Sequence, residues 1–304
     1  MIELGRLGVW GHLDSLSAGE ARHYARRAEE LGYGTLWVPE TVGREPFSLL
    51  GMLSGETSSL VLGTSIVSIW GHDPQTTRMA ALTLAEATAG RFVLGLGVSH
   101  PHLAQRLRGH QFDRPLTRMR EFLAAYRAAV YKGPGGADAS TAGAAVAEPP
   151  VLLAALRERM LTLAATEADG AFPYLVGPER VAWSRSVLDA ANAVRRPVLA
   201  VSLPAVLETD AAAARASARG YLAPYLRTPT YQATWALQGF AEDDWARPGS
   251  DRLVDAMVAW GDVQTLRGRI ATLVDAGADH VALIPLTPEG VTENLELLEA
   301  MAGD

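Results

Sequence analysis

The run Val61-Leu62-Gly63-Thr64-Ser65-Ile66-Val67-Ser68-Ile69, the amphipathic stretch 75–88 and the run Phe92-Val93-Leu94-Gly95-Leu96 read together as one β–α–β unit. The first and last are short, apolar and rich in β-branched residues, whereas the middle stretch repeats its apolar positions at helical spacing. The same alternation extends outward in both directions. Strand-like runs fall at 6–10, 35–38, 151–155, 171–174, 197–203 and 280–285. Helical patterns lie at 18–31, 46–53, 116–131, 159–167, 178–194, 210–225 and 262–276. Eight strands alternating with helices imply parallel strands joined by crossover helices. Periodicity alone allows either an open doubly wound sheet or a closed ring. The length of 304 residues and the count of eight favour an α/β fold of the (β/α)8 TIM-barrel type, one domain over 1–304.

Several element ends have a local cause. Ser17 with Glu20 three residues later forms a capping-box pattern, and Gly32 and Gly34 follow the first helix. Pro115 and Pro178 suit first-turn positions, where a missing N–H costs nothing. Two segments depart from the alternation. Residues 132–148, rich in Gly, Ala and Ser, read as a flexible surface loop. Residues 228–250 carry Tyr231, Trp235, Phe240 and Trp245 and read as an insertion, either a lid over the barrel mouth or a helix packed on its outside.

Composition excludes several chemistries. The chain has no cysteine, so disulfides, thiolate metal sites and a cysteine nucleophile are ruled out. Lys132 is its one lysine and lies in the 132–148 tract, which argues against Schiff-base chemistry. Against 27 basic residues stand 34 acidic ones, a formal charge of −7, with no basic block to attract nucleic acid or anionic membrane. The N-terminal stretch lacks a signal-peptide pattern, and no apolar run approaches the roughly 18 residues of a membrane span. The expectation is a soluble, cytoplasmic protein acting on a small molecule, with no nucleic-acid or membrane partner.

In a barrel of this kind the site lies at the C-terminal ends of the strands. That rule gathers Trp10 and His12 after the first strand, Glu40 and Thr41 after the second, and Ser68, Trp70 and His72 at the end of the third. It adds Ser99, His100 and His102 after the fourth, Arg157 and Glu158 after the fifth, and Tyr174 after the sixth. His280 enters the last strand from the opposite face and reads as structural. His12, His72 and His100 share no metal-binding spacing, so no metal is expected. Gly95-Leu96-Gly97 lacks the third glycine of a dinucleotide loop. Gly97 reads instead as room for backbone to approach a flat ligand. A Gly-x-Ser-x-Gly elbow is absent.

Leu36-Trp37-Val38-Pro39-Glu40, Leu62-Gly63-Thr64-Ser65-Ile66-Val67-Ser68 and Gly90-Arg91-Phe92-Val93-Leu94-Gly95-Leu96-Gly97-Val98 resemble the bacterial luciferase-like superfamily, and within it the actinobacterial branch that uses coenzyme F420. Ala168-Asp169-Gly170-Ala171-Phe172-Pro173-Tyr174-Leu175-Val176, the stretch 250–261 and Asp275-Ala276-Gly277-Ala278-Asp279-His280-Val281 carry the likeness nearly to the end of the chain. The resemblance implies a (β/α)8 barrel and a cis peptide at Ser65-Ile66 buttressing the cofactor ring, with Ser68 on the same wall. It also implies a ring contact from Glu40 and backbone contacts from Gly97, Val98 and Ser99. The cofactor phosphate would rest on Leu156-Arg157-Glu158, where relatives have Gly-Gly or Gly-Pro; Arg157 supplies a cation for the phosphate, and Glu158 would oppose an anion there. The sugar-phosphate dehydrogenases of the group carry a His and a Glu where this chain has Thr41 and His100, so glucose 6-phosphate is rejected as substrate.

The implied activity is hydride transfer between coenzyme F420 and a small, fairly apolar organic substrate. Trp10, Trp70, His72 and Tyr174 would form the pocket, and His100, then His12, are the proton-transfer candidates because imidazole titrates near neutrality. Two alternatives stay open: an FMN-dependent luciferase-like monooxygenase, and a barrel that binds cofactor or ligand without turnover. Relatives of this kind are often homodimers, and the same is expected here.

Overall fold

Each apolar run forms a strand with parallel neighbours, and the hydrogen bonding closes on itself. The computed structural model describes residues 3–133, 147–289 and 292–302. Strand β1 (Leu7–Trp10) pairs with β2 (Thr35–Val38), and β2 with β3 (Val61–Thr64). Next come β5 (Phe92–Gly97), β6 (Val151–Leu153), β7 (Gly170–Ala171) and β8 (Val198–Leu207). Strand β10 (His280–Leu286) pairs with β8 from His280↔Ala200 to Leu286↔Val206, and with β1 from Leu7↔Val281 to Val9↔Leu283, which closes the barrel. The (β/α)8 expectation holds.

The run 61–69 is not one strand. It breaks at Ser65–Ile66, whose peptide bond is cis, and resumes as β4 (Val67–Ser68) against β5. The run expected at 171–174 shrinks to β7, because Pro173 has no N–H to give the ladder. Conversely, β8 outruns its expected end at 203, and Ala205–Leu207 take β9 (Ala259–Gly261) as a neighbour once β7 has ended.

Helices α1 (Ala18–Glu30), α2 (Pro46–Leu53), α3 (Pro74–Ala87), α4 (Pro115–Ala128), α5 (Glu158–Glu167), α6 (Pro178–Ala190), α7 (Ala211–Leu222) and α11 (Val263–Asp275) are the crossovers. The Ser17–Glu20 capping box forms in both directions, and Gly32 adopts φ +82°. The insertion holds α8 (Pro229–Ala236) and α9 (Glu242–Trp245), followed by α10 (Asp251–Met257); α12 (Leu295–Met301) follows β10. Apart from its ends, the loop expected at 132–148 lies outside the described residues. Among the described residues no helix is long and apolar enough to cross a membrane.

At the closed end of the barrel, fully buried His280 lies between Trp37 and Gly5. Trp37 Nε1 can only donate, and it reaches His280 Nε2 at 2.9 Å, so Nδ1 carries the hydrogen donated to Gly5 O at 2.8 Å. A Cβ on Gly8 would lie 2.7 Å from the imidazole, so that residue must be glycine. Burial pulls this histidine down to about 4, with the Gly5 carbonyl opposing. The unfolded chain therefore binds a proton between pH about 6.5 and 4 that the native state refuses. The stability that neutral His280 contributes should be complete above pH about 6.5 and fade as pH falls towards 4, by up to about 3 kcal/mol. Urea unfolding across that range, with histidine NMR showing one ring still neutral and Nδ1-protonated at pH 5, checks this.

Candidate active site

The open end of the barrel is organised by the break in the third strand. Ser65 N donates to Val38 O at 2.8 Å, Glu40 N to Ile66 O at 3.1 Å, and Trp10 Nε1 to Ser65 O at 3.1 Å. The Ile66 side chain points into the space left by Gly97, where a Cβ would come within 2.6 Å of it. The Cβ direction at Gly97 is thus taken up by Ile66, which by itself requires a glycine there. Gly95 is also obligatory, since a Cβ there would sit 1.9 Å from Thr64 O.

The Glu40 carboxylate lies almost wholly buried at this break. Oε2 accepts Ser68 N–H at 2.6 Å and stands 3.2 Å from His72 Nε2, while Oε1 is paired with Arg108. Arg108 ends the π-helical turn Leu103–Leu107 after β5. Sequence reading missed it, because nothing near residue 108 in the chain marks a partner 68 positions earlier. Trp70 completes the wall: its Nε1 donates to Val98 O at 2.8 Å and its N–H to Ser68 Oγ at 3.3 Å. Ser99 then turns the chain with φ +53° and delivers His100.

His100 stacks on His102 (5.9 Å between centroids, 8° between planes) and lies 5.3 Å from the Tyr231 ring of α8. Its Nδ1 is buried and has no partner among the described residues. Burial first, and the neighbouring His102 second, bring it down to about 4. His12 lies edge-on to Trp10 at 5.0 Å; burial lowers it, while Glu293 and Asp14 pull the other way. His12, His72 and His100 thus have separate partners.

Tyr174 packs 6.0 Å from Trp10, 5.5 Å from Tyr225 and 5.9 Å from Tyr231. Its hydroxyl bonds to Tyr221 and, at 3.0 Å, to Tyr225. Burial pushes the Tyr174, Tyr221 and Tyr231 phenols well above their usual range. These phenols therefore stay neutral, and Tyr174 and Tyr221 are hydrogen-bonded to each other. The insertion contributes Tyr231 to this cluster and buries Trp235 behind it (rings 6.0 Å apart).

Around the mouth from this cluster, Arg157 is the N-cap residue of α5 and makes no side-chain cap; its guanidinium reaches Ala233 O at 3.3 Å. Arg180, in the first turn of α6, donates to Leu156 O at 2.7 Å and lies 3.4 Å above the Trp183 ring. Its Nε is buried without a partner among the described residues. Burial, and then the charge of Arg157, lower Arg180 to about 10. Two guanidiniums thus meet beside a helix N-terminus, and their hydrogen-bond partners among the described residues are carbonyl oxygens. Arg180 was the part the sequence did not disclose, lying on another helix 23 residues on.

A closed parallel barrel with a broken third strand, an aromatic mouth and a guanidinium pair at the start of its fifth crossover defines the class. Residues 1–280 match the family described as luciferase-like monooxygenase, and the chain belongs to that family. Among its relatives is a Mycobacterium tuberculosis protein named as a coenzyme F420-dependent oxidoreductase, 26% identical over 95% of this chain and 96% of its own length. The fold is similar to that of an F420-dependent secondary alcohol dehydrogenase solved with an F420–acetone adduct (TM-score 0.76, 14% identity, 98% and 97% of the two chains). It is also similar to the oxygenating constituent of 3,6-diketocamphane monooxygenase from Pseudomonas putida, solved with FMN (TM-score 0.68, 16% identity, 91% of each chain).

Removing the Glu40 side chain should leave Ser68 N–H, His72 and Arg108 without their acceptor. Glu40→Ala is expected to destabilise the protein by about 2 kcal/mol, less than for a fully buried pair because Arg108 is partly solvated. Arg108→Ala should cost a similar amount, and the double variant little more than either single one, read as urea midpoints.

Proposed function

We propose that this protein is an oxidoreductase that moves hydride between coenzyme F420 and a small, fairly apolar organic substrate at the barrel mouth. The observation that carries this reading is the Arg157–Arg180 pair at the α5 N-terminus: two cations in mutual repulsion, one with an orphaned donor, suit a cofactor phosphate. The relative named for F420 dependence, matched over nearly its whole length, supports the choice of cofactor.

F420, when bound, supplies a carbon that gives or takes hydride. Leu156, Arg157 and Arg180 would hold its phosphate, with Glu158 outside the seat. Ser65, Ile66 and Ser68 would form the wall behind the ring, and Val98, Ser99 and the Gly97 backbone its flank. Glu40 would act at this wall through its grip on Ser68 N–H, since its carboxylate is already engaged by Ser68, His72 and Arg108. Trp10, Trp70 and Tyr174, joined by Tyr231, would enclose the substrate and exclude water, with the insertion serving as a fixed lid. His100 and His12 are the two candidates for exchanging the proton that accompanies hydride.

Separate fluorescence titrations of the cofactor-free protein with F420 and FMN test this. Saturable F420 binding, weakened about tenfold or more by Arg157→Ala, is the expected result. Tight FMN binding without F420 binding would convert the reading to an FMN-dependent monooxygenase. F420 binding with no reduction of ketones, enones or nitro compounds would leave a binding barrel.

A further inference from the structure

Beyond β10, Thr292 and Glu293 lie against His12 at the mouth, beside β1. Thr292 Oγ1 accepts the His12 backbone N–H at 3.0 Å. The same oxygen lies 3.4 Å from His12 Nδ1 and 3.4 Å from Glu293 Oε1. A hydroxyl has one hydrogen and two lone pairs. One lone pair takes the His12 N–H, and the hydrogen points to the carboxylate, which can only accept. The remaining lone pair faces Nδ1, so Nδ1 must carry a hydrogen and Nε2 is left as the basic nitrogen.

Glu293 is fixed in turn. Its Oε1 accepts Leu13 N–H at 3.0 Å, and its Oε2 is buried with no partner among the described residues. The result is a carboxylate–hydroxyl–imidazole relay. Two carboxylates face the ring: Glu293 from the β10 side and Asp14 from its own loop, the latter held by Thr41 Oγ1 at 2.6 Å and Arg44 N at 2.9 Å. Trp10 covers a further side. His100 has no such support: its Nδ1 is orphaned, and its ring neighbours are the Tyr231 phenol and a second histidine, His102, with no carboxylate facing it among the described residues.

We propose that Thr292 and Glu293 are positioning residues that hold His12 as the group exchanging the proton in hydride transfer, an assignment that rests on the oxidoreductase reading above. In the reducing direction the substrate carbonyl carbon receives hydride, and its oxygen receives the Nε2 proton of imidazolium His12. The ring is left neutral with Nδ1–H still on Thr292. In the oxidising direction Nε2 takes the alcohol proton as the C–H hydride departs to the oxidised cofactor. Each turnover thus moves one hydride and one proton.

Histidine NMR of the cofactor-free protein reads the relay independently of turnover. His12 should be the Nδ1–H tautomer. Its pKa should fall by about one unit in Glu293→Gln, and Thr292→Val should shift it towards the Nε2–H tautomer, which Thr292→Ser reverses. In kcat/KM against pH, measured with F420 and the panel compound turned over fastest, the limb belonging to His12 should move with its NMR value. Thr292→Val should lower kcat about tenfold or more with KM little changed. Identical His12 tautomer and pKa in all variants would overturn the relay. A moved NMR titration with an unmoved pH–rate profile would overturn His12 as proton carrier and leave the hydride reading standing. Failure of the wild-type protein to bind F420 would remove that reading and this proposal together.

Discussion

The Glu40 carboxylate stands where the third barrel strand breaks, and its bonds set the shape of the open rim. Before the break, β3 has β2 on one side and β5 on the other. After it, β4 keeps β5 but has outrun β2, which would leave its other edge bare. Glu40 fills that edge twice, with its backbone N–H on Ile66 O and its carboxylate on Ser68 N–H. Because buried backbone groups must be paired, a side chain has taken over what a longer second strand would have done. The same carboxylate then ties in Arg108, so the turn after β5 and the histidines that precede it are fixed by the bond that supports the break.

That division explains what could be read in advance. The eight-fold alternation was legible because each run is short and each crossover keeps helical periodicity, a signal spread over many residues. The break at Ser65–Ile66 was not legible from composition, since β-branched residues run straight through it; only likeness to known relatives located it. Local chemistry misled at two ends. Tyr174 extends an apolar run that Pro173 has already stopped, and Pro204 looks like a stop although it sits in register opposite Ile284. Residues at strand ends, such as Trp10, Glu40, Ser68 and His100, could be placed by topology alone. Arg108, Arg180, Thr292 and Glu293 could not. They reach the mouth from a turn, a helix and the segment after the last strand, and no local spacing encodes a contact made across 68 or 280 positions.

At the phosphate site of the proposed function, one departure from the relatives' pattern is balanced by another. Glycine at the start of α5 would let an anion rest directly on backbone N–H groups, whereas Arg157 puts a side chain in that approach. The structure pairs it with Arg180, whose guanidinium is held flat by Trp183 on one side and Leu156 O on another. A guanidinium fixed in that way presents a fork of donors with little rotational freedom left to lose. On the proposed reading, charge and fixed geometry replace close backbone approach, and Glu158, which faces solvent, stays outside the pair.

The two histidines at the mouth diverge through their surroundings alone. Both are largely buried, and burial lowers both by disfavouring the charged ring. Around His100 the second influence points the same way, because His102 stacks parallel to it and adds like charge. Around His12 the second influence opposes burial, because Glu293 and Asp14 are anions. Proton exchange at neutral pH requires a ring that can be charged and neutral in turn, which both settings disfavour and the second, with two anions opposing burial, disfavours less. On the proposed reading, His100, kept neutral beside Tyr231, shapes the pocket, and the proton is carried by the residue with carboxylates behind it.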